Sequence, residues 1–253
     1  MEKRPQSLLL KFPGTNCDGE TARALSMAGF GVRSIPFSQV GNSSFRSVDL
    51  VVIPGGFSYG DYIMAGRLAQ LEIQRRLGRG LHQFRDGGGY ILGICNGFQI
   101  LMRLNLLPEG SLIENTGGRF ICRWVGLRNH RPENPFLGAL PETFELPIAH
   151  AEGRFMTRQG LAERYLQDGS VALTYAEDVN GSACNIAGVQ DESGRVLGLM
   201  PHPERFLFRE DHYDPDWRMD REWGWGHAFF QSIASHITST NRKRSRQVSQ
   251  MIG

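Results

Sequence analysis

The sequence predicts an α/β fold with a doubly wound, mostly parallel sheet and helices on both of its faces. Three observations lead to this prediction. Short apolar runs alternate with segments of helical periodicity in the first part of the chain. The runs Leu50–Pro54 and Tyr90–Ile94 are almost wholly apolar, as strands covered on both faces are. The 253 residues, 40% of them hydrophobic, supply a core large enough for one domain spanning 1–253.

Each element of the first half follows from a local signal. Strands are predicted where a short apolar run stops at a turn residue, and helices where apolar residues recur at intervals of three and four. Gly29 ends the first helix, as a C-terminal glycine does. The predicted strands are Ser7–Phe12, Val32–Pro36, Leu50–Pro54 and Tyr90–Ile94, and the predicted helices are Asp18–Ala28, Gly66–Asp86 and Asn96–Leu104.

In the second half, strands follow one another at short intervals. Turn signals such as Asn180-Gly181 separate them, so we expect additional antiparallel strands. The segment Phe206–Gly226 holds three of the four Trp residues and is either a docking surface or a lid packed on the sheet edge. The predicted strands are Phe120–Leu127, Phe144–Ala149, Val171–Tyr175, Ile186–Gln190 and Val196–Met200, and a helix over His227–Ile237 is expected to pack back on the sheet.

Charge and composition exclude several classes of protein. Residues 241–253 carry four basic residues and no acidic one, which leaves 24 basic and 26 acidic residues in the rest of the chain. We expect a solvated, frayed terminus there and no basic stripe for nucleic acid on the body. No apolar run is long enough for a membrane span, and no cleavage signature follows Met1, so we expect a soluble, cytoplasmic protein.

The cysteines and glycines also exclude some kinds of site. Four scattered cysteines form no C-x-x-C pair and no Cys/His ligand spacing, so neither a zinc site nor a disulfide framework is predicted. Cys17, Cys122 and Cys184 are interpreted as small buried structural cysteines. The phosphate-loop pattern G-x-x-x-x-G-K-[ST] is absent, which argues against ATP binding by this chain.

The clearest chemical signal is a cysteine at a strand-to-helix corner, Gly93-Ile94-Cys95-Asn96-Gly97. G-x-C-x-G is the cysteine form of the nucleophile elbow, in which a strained turn exposes the nucleophile at the carboxyl end of the sheet. There the helix N-terminus favours a thiolate, and the Asn96 N–H points to where an oxyanion forms. The alternative is a buried structural cysteine; the strand–turn–helix context favours a nucleophile for Cys95.

A thiol nucleophile needs a base, and the base needs an orienting group. His202 follows the predicted strand Val196–Met200 between two prolines, and Glu204 stands two residues later. Glu204 either orients the imidazole or caps a following helix. A second oxyanion donor is expected from the Gly-Gly turn after Leu50–Pro54, namely the backbone N–H of Gly56 or Phe57.

These motifs resemble the class I (triad) glutamine amidotransferases. The resemblance is closest to the branch of that family formed by the glutaminase subunits of phosphoribosylformylglycinamidine synthase, an enzyme of purine biosynthesis. It implies a flavodoxin-like sheet order. The resembling segments are Pro13–Asp18, Gly55–Tyr62, Gly93–Leu101, Asn115–Phe120, Pro147–His150, Asp178–Ser182 and Gly198–Arg205.

The resemblance implies a reaction. Cys95 attacks the side-chain amide of glutamine to give a γ-glutamyl thioester, His202 transfers the protons, and Glu204 orients His202. Gln99 is placed near the glutamine. The loop Ala149–Phe155, which contains His150, lines either the glutamine pocket or the rim facing a synthetase, or is an ordinary polar loop.

The resemblance also implies partners. Ammonia passes to a large ATP-dependent synthetase subunit, which converts formylglycinamide ribonucleotide to formylglycinamidine ribonucleotide, and some relatives need a small bridging subunit. This chain is expected to bind no cofactor, with ATP and Mg²⁺ on the synthetase. The isolated chain is expected to be a poor glutaminase. The alternatives are a cysteine hydrolase of the related peptidase/chaperone superfamily and a catalytically silent binding subunit.

Overall fold

The computed structural model describes residues 4–56 and 63–252. Its eleven described strands and five described α-helices follow the order expected of an α/β fold. The strands are β1 (Gln6–Lys11), β2 (Gly31–Pro36), β3 (Leu50–Ile53), β4 (Tyr90–Ile94), β5 (Ser111–Ile113), β6 (Ile121–Asn129), β7 (Thr143–His150), β8 (Arg154–Met156), β9 (Val171–Tyr175), β10 (Ile186–Gln190) and β11 (Val196–Leu199). The helices are α1 (Asp18–Met27), α2 (Ile63–Asp86), α3 (Asn96–Arg103), α4 (Leu161–Asp168) and α5 (Trp225–Ile252).

Nine of these strands form one sheet in the order β2-β1-β3-β4-β11-β10-β9-β6-β7. The five strands from β2 to β11 are parallel neighbours, and their order is that of a flavodoxin-like sheet. The remaining neighbours pair antiparallel. The predicted fold class is therefore confirmed.

The core lies on both faces of the parallel strands. Every residue of β3, β4 and β11 is buried, which explains why these strands read as continuous apolar runs. Their predicted bounds agree with the structure to within one residue. None of the described helices combines the length and the apolar character needed to cross a bilayer.

Four elements differ from the sequence prediction. Strands β5 and β8 have three residues each and pair only with each other, so they are too short for a periodic signal. Helix α4 is an eight-residue helix between two glycines and was not predicted. Helix α5 begins at Trp225 and continues to Ile252, so the predicted frayed terminus at 241–252 is helical in the structure.

The sheet directions bring several strand ends to one edge. Strand β10 is antiparallel to both β11 and β9, so β9 runs in the same direction as β11. Strand β6 is antiparallel to both β9 and β7, so β7 also runs in the direction of β4 and β11. Strand β7, the last strand of the sheet, returns towards the parallel half. The N–H of His202, just after β11, donates to the Pro147 carbonyl of β7 at 2.8 Å. The antiparallel extension therefore covers the carboxyl edge of the parallel sheet.

The aromatic segment Phe206–Gly226 packs against this extension. The rings of Trp217 and Trp225 are buried, and Trp217 Nε1 donates to Glu145 Oε1 of β7 at 2.6 Å. The Phe206 and Trp217 ring centroids lie 4.8 Å apart. Of the two alternatives left by the sequence, this packing favours a lid on the sheet edge.

Candidate active site

Cys95 occupies a strained corner between β4 and α3. Its φ of 52° and ψ of −107° lie in a region that residues with a side chain rarely adopt. Its N–H donates to the Leu199 carbonyl at 2.8 Å, which ties the corner to β11. The residue is 8% exposed. The backbone therefore has the geometry of a nucleophile elbow, as the G-x-C-x-G pattern predicts.

The two glycines of the motif are required by close backbone contacts. A methyl group on Gly97 would lie 1.9 Å from the carbonyl oxygen of Ile53, and one on Gly93 would lie 2.7 Å from the carbonyl of Gly97. Helix α3 therefore approaches β3 more closely than any side chain permits. This contact fixes the position of the first turn of α3, and with it Cys95.

Gly97→Ala is expected to destabilise the protein by about 2 kcal/mol or more, because the added methyl group overlaps rigid backbone. Gly19→Ala is the matched control, since Gly19 lies in α1 with nothing within 4 Å of the added atom. There alanine is expected to leave stability unchanged or raise it by up to about 1 kcal/mol. Chemical unfolding of both variants measures the difference; equal stability of the two would contradict the expectation.

His202 and Glu204 form a buried pair just after β11. His202 Nδ1 and Glu204 Oε1 are 2.6 Å apart, and the two residues are 2% and 3% exposed. Glu204 accepts this bond instead of capping a helix, since the Pro203–Arg205 turn that contains it has no side-chain cap bond. The bond fixes the imidazole ring and leaves its Nε2 without a hydrogen-bond partner among the described residues.

Electrostatics favour a charged His202. Burial lowers its pKa, but the charges of Glu204 and Cys95 outweigh burial and hold the pKa of His202 well above its usual value. Both Cys95 and His202 flank Gly55: a methyl group there would lie 2.9 Å from His202 Cε1 and 3.5 Å from Cys95 Cβ. The structure thus brings together the three residues predicted to form the triad.

The free edge of β7 provides another wall of the site. The Ala149 carbonyl oxygen lies 3.9 Å from Cys95 Sγ, and the Pro147 carbonyl accepts the His202 N–H. Edge-strand carbonyls that are not paired in a sheet remain available as acceptors. These carbonyls face Cys95 and His202.

Of the predicted oxyanion residues, Asn96 follows Cys95 in the chain, and Gly56 follows Gly55, which packs against Cys95. Asn96 begins α3 directly after the nucleophile. Gly56 has a φ of 152° and forms an isolated bridge with Thr15, and a methyl group on it would lie 2.7 Å from the Gly14 carbonyl oxygen. Only glycine fits this position. Phe57 lies outside the described residues.

Gln99 lies one turn beyond Cys95 and connects two parts of the site. Its Nε2 donates to the Glu152 carbonyl at 2.6 Å, and its Oε1 accepts from Asn96 Nδ2 at 2.9 Å. Gln99 therefore holds the 150–153 loop against the first turn of α3. Both the oxygen and the nitrogen of the Gln99 side-chain amide are therefore hydrogen-bonded within the protein.

His150 ends β7 and is held by a network of side-chain amides. Its Nδ1 lies 3.1 Å from Asn115 Oδ1, and Asn180 Nδ2 contacts the same oxygen at 3.4 Å. The ring is 4% exposed, and its Nε2 has no hydrogen-bond partner in the part of the chain that the structure describes. Burial, and then the charge of His202, lower the pKa of His150 to about 4.

Sequence reasoning missed two neighbours of the triad. The sulfur of Cys17 accepts from Arg205 Nη2 at 3.2 Å, and its contact with His202 contributes to the raised pKa of that histidine. The hydroxyl of Tyr175, at the end of β9, is buried without a described partner, and burial followed by the charge of Cys95 raises its pKa. The rule that strand ends meet at one edge brings both segments near Cys95, but it does not distinguish either residue from an ordinary core residue.

One group of described side chains has the spacing of a cation site. Ligand atoms of Cys17, His202 and Glu204 lie within 4.8 Å of one another. Two of them already share a hydrogen bond, and the guanidinium of Arg205 lies against the sulfur of Cys17. A positive charge at this distance opposes a cation, so the donor set fits acid–base chemistry better than a resident metal.

The other cysteines differ in their surroundings. Cys17 is buried, as interpreted from the sequence, and Cys184 is half-buried. Cys122 is exposed, which corrects its interpretation as a buried residue: it lies near the start of β6, where the strand has solvent on its outer side.

Comparison with known proteins identifies the family. A family model described as the CobB/CobQ-like glutamine amidotransferase domain matches residues 4–236. The chain is 41% identical over 205 residues to the phosphoribosylformylglycinamidine synthase subunit PurQ of Thermotoga maritima, covering 80% of this chain and 88% of that protein. It is 43% identical over 212 residues to the subunit PurQ of Pyrococcus horikoshii, covering 80% and 92%.

Comparison with solved structures agrees with this family assignment. The structure of PurLQS from Thermotoga maritima contains a chain that matches with a TM-score of 0.77 and 35% identity, covering 93% of this chain and 100% of that one. A glutamine amidotransferase of Thermotoga maritima, 15% identical with a TM-score of 0.58 and coverage of 93% and 99%, is similar in fold alone. With the family model and the PurQ relatives each covering most of its length, this chain belongs to the class I glutamine amidotransferases, in the family of the PurQ subunits.

Proposed function

We infer that this chain is the glutaminase subunit of a phosphoribosylformylglycinamidine synthase. It hydrolyses glutamine to glutamate and ammonia, and the ammonia passes to a separate ATP-dependent synthetase subunit that makes formylglycinamidine ribonucleotide. The single observation that carries this conclusion is the buried His202–Glu204 pair beside the elbow cysteine Cys95, in a chain of this family.

We propose that acylation begins with the Cys95 sulfur attacking the side-chain carbonyl carbon of glutamine. The new S–C bond puts negative charge on the carbonyl oxygen, and the N–H groups of Asn96 and Gly56 stabilise it. The His202 imidazolium, favoured by Glu204, gives its Nε2 proton to the departing nitrogen. The C–N bond then breaks and ammonia leaves.

Deacylation uses the same groups in reverse roles. After proton donation, Nε2 of His202 is neutral and removes a proton from a water molecule, which attacks the thioester carbon. The S–C bond breaks, glutamate leaves, and the imidazolium forms again. Glu204 keeps the ring orientation through both steps, because its bond to Nδ1 does not depend on the substrate.

The remaining assignments belong to the same proposal. Residues 1–253 act as one glutamine amidotransferase domain, supported by the nine-stranded sheet, which includes both the first and the last described strand, β1 and β11. The chain carries no cofactor of its own, ATP and Mg²⁺ being bound by the synthetase, and it works in the cytoplasm. The backbone N–H of Phe57, which lies outside the described residues, remains the alternative to that of Gly56 as the second oxyanion donor. His150 lines the glutamine site, supported by its buried Nε2, which has no hydrogen-bond partner in the described chain.

The alternative of a cysteine hydrolase from the peptidase/chaperone superfamily has less support. Members of that superfamily place the histidine beside the cysteine helix, whereas here the buried His-Glu pair follows β11. A silent binding subunit would have no need of the strained Cys95.

We expect the isolated chain to hydrolyse glutamine slowly and the complete complex to do so about 5- to 150-fold faster. The physical reason is that two glycine pairs adjoin the site and a bound synthetase restricts them: Gly55-Gly56 beside Cys95, and Gly117-Gly118 in the turn that follows Asn115. Glutamate release by the chain alone, with the synthetase, and with the synthetase and bridging subunit measures this. Equal turnover in all three would contradict the partner dependence, and no turnover in any would contradict the function.

A further inference from the structure

We propose that His150 is a further substrate-contacting residue, whose neutral Nε2 accepts a hydrogen bond from the amide nitrogen of glutamine and from the ammonia that this nitrogen becomes. Asn115 is its positioning residue and fixes the imidazole in the required tautomer. The inference rests on the glutaminase function proposed above and assigns a contact to the leaving group.

The tautomer follows from the hydrogen bonds of Asn115. Its Nδ2 donates to two carbonyl oxygens, that of Arg119 at 3.0 Å and that of His150 at 2.8 Å. Its Oδ1 is therefore the acceptor end, and it also receives the Gly153 N–H at 3.3 Å. His150 Nδ1, 3.1 Å from the same oxygen, must carry the proton. Nε2 of His150 is left with a free lone pair.

That lone pair is buried and has no partner in the described chain. Buried polar atoms are nearly always hydrogen-bonded, so an orphaned acceptor beside a catalytic group indicates a ligand donor. The ring also stays neutral at pH 7, since its pKa is lowered to about 4 by burial and by the charge of His202. His150 can therefore accept a hydrogen bond and has no proton to give from Nε2.

The position of His150 places it beside the side-chain amide of glutamine, which is the end of the substrate that reacts. The carbonyl of the preceding residue, Ala149, is 3.9 Å from Cys95 Sγ. The loop that His150 begins is held on the first turn of α3 by the bond from Gln99 to Glu152. Because the side-chain carbon of glutamine must reach Cys95, the N–H donors that arrive beside this loop are those of its amide.

A neutral acceptor suits the departure of ammonia. When the C–N bond breaks and the S–C bond forms, His202 supplies the proton that completes NH₃. His150 takes no part in proton transfer; its lone pair holds an N–H of the leaving group. An acid at this position would convert ammonia to ammonium, which cannot act as a nucleophile. Because its pKa is lowered, His150 stays neutral and does not protonate the ammonia.

Two substitutions separate the two ring nitrogens of His150. Asn in place of His150 keeps an N–H near the Nδ1 position for Asn115 but removes the acceptor at Nε2. Gln in place of His150 carries its amide oxygen to the Nε2 position. We expect His150→Asn to lower kcat/KM for glutamine about 10- to 100-fold in the complete complex, and His150→Gln to restore most of it.

Labelling of Cys95 by 6-diazo-5-oxo-norleucine is the control reaction. This analogue has the α-amino group of glutamine but a diazo carbon where the amide nitrogen stands. His150→Asn should therefore be labelled at the wild-type rate. Unchanged glutamine turnover would overturn the proposal. Turnover and labelling that fall together would overturn it as well, because they indicate a structural role or a contact with the α-ammonium group.

A measurement on the unmutated protein tests the tautomer. In the two-bond ¹⁵N–¹H spectrum of histidine-labelled protein at pH 7, His150 is expected as the Nδ1–H tautomer, and an Nε2–H tautomer or an imidazolium would overturn the proposal. These results distinguish this inference from the proposed function. A wild-type complex that releases no ammonia would contradict the glutaminase function. An active wild type with equally active His150 variants would contradict only the role of His150.

Discussion

Cys95→Ala is expected to lower glutamate release by the complete complex about 10⁴-fold or more, because no thioester can form without the sulfur. The fold should tolerate the change. Alanine has the same backbone restrictions as cysteine at a φ of 52°, so the strain at the elbow is unchanged. Glutamate and ammonia are measured together, and thermal unfolding of the variant checks that the protein is folded.

Cys122→Ser is the matched control for the loss of a thiol. Cys122 is exposed, and its substitution should leave turnover unchanged. The same pair of variants tests the labelling: 6-diazo-5-oxo-norleucine should modify the Cys122 variant and fail to modify the Cys95 variant. A folded Cys95→Ala complex that still released glutamate would remove the sulfur from the mechanism.

The position of the proposed triad could be predicted because Cys95 and His202 each follow a buried strand. Cys95 comes directly after β4 and His202 shortly after β11, and parallel neighbours end at one edge of a sheet. The Gly55-Gly56 turn after β3 could be placed at the same edge for the same reason. Local sequence is sufficient here, since strand direction and adjacency follow from the βα alternation.

The other walls of the site could not be predicted from the sequence in this way. Strand β7 is the last in the sheet order, yet its carbonyls at Pro147 and Ala149 contact the triad. This depends on how strongly the antiparallel half of the sheet curves back, and no local pattern encodes that curvature. Tyr175 and Cys17 were missed because a tyrosine at a strand end and a cysteine before a helix are also ordinary core residues.

The Asn115 network was not predicted from the sequence, although its residues lie in segments that carry the family resemblance. Its residues come from three segments that are distant in sequence, those around Asn115, His150 and Asn180. Each segment alone reads as a polar loop with turn residues. Only their contact shows that two amides orient one imidazole.

The second large effect is expected from Glu204→Gln. Glutamine can still accept a hydrogen bond from Nδ1 of His202, so the ring orientation is kept while the negative charge is lost. The pKa of His202 then falls, because burial lowers it and only the charge of Cys95 and the contacts with Cys17 and Cys95 still raise it. We expect kcat/KM at pH 8 to fall about 10²- to 10⁴-fold.

The pH profile separates this effect from misfolding. The imidazolium is needed to protonate the departing nitrogen, so activity is lost as the pH rises through the pKa of His202. With the charge of Glu204 removed, that loss should occur at lower pH, and part of the activity should return on acidification. The measurement is kcat/KM against pH for both proteins, with Glu20→Gln as control; Glu20 is a partly exposed carboxylate that pairs with Arg205 beside the same turn.

The same charge has a stability consequence with a defined sign. A histidine whose pKa is raised on folding stabilises the folded state below its unfolded pKa, and this contribution is lost as the pH rises through the folded pKa. The folded wild type therefore holds a proton on His202 in a pH range in which the Glu204→Gln protein does not. In that range the advantage of the wild type in unfolding free energy should shrink as the pH increases. The difference in unfolding free energy between the two proteins could instead stay constant with pH, and the pH profile of kcat/KM could stay unshifted. Together, these results would show that Glu204 positions His202 without favouring its charged form.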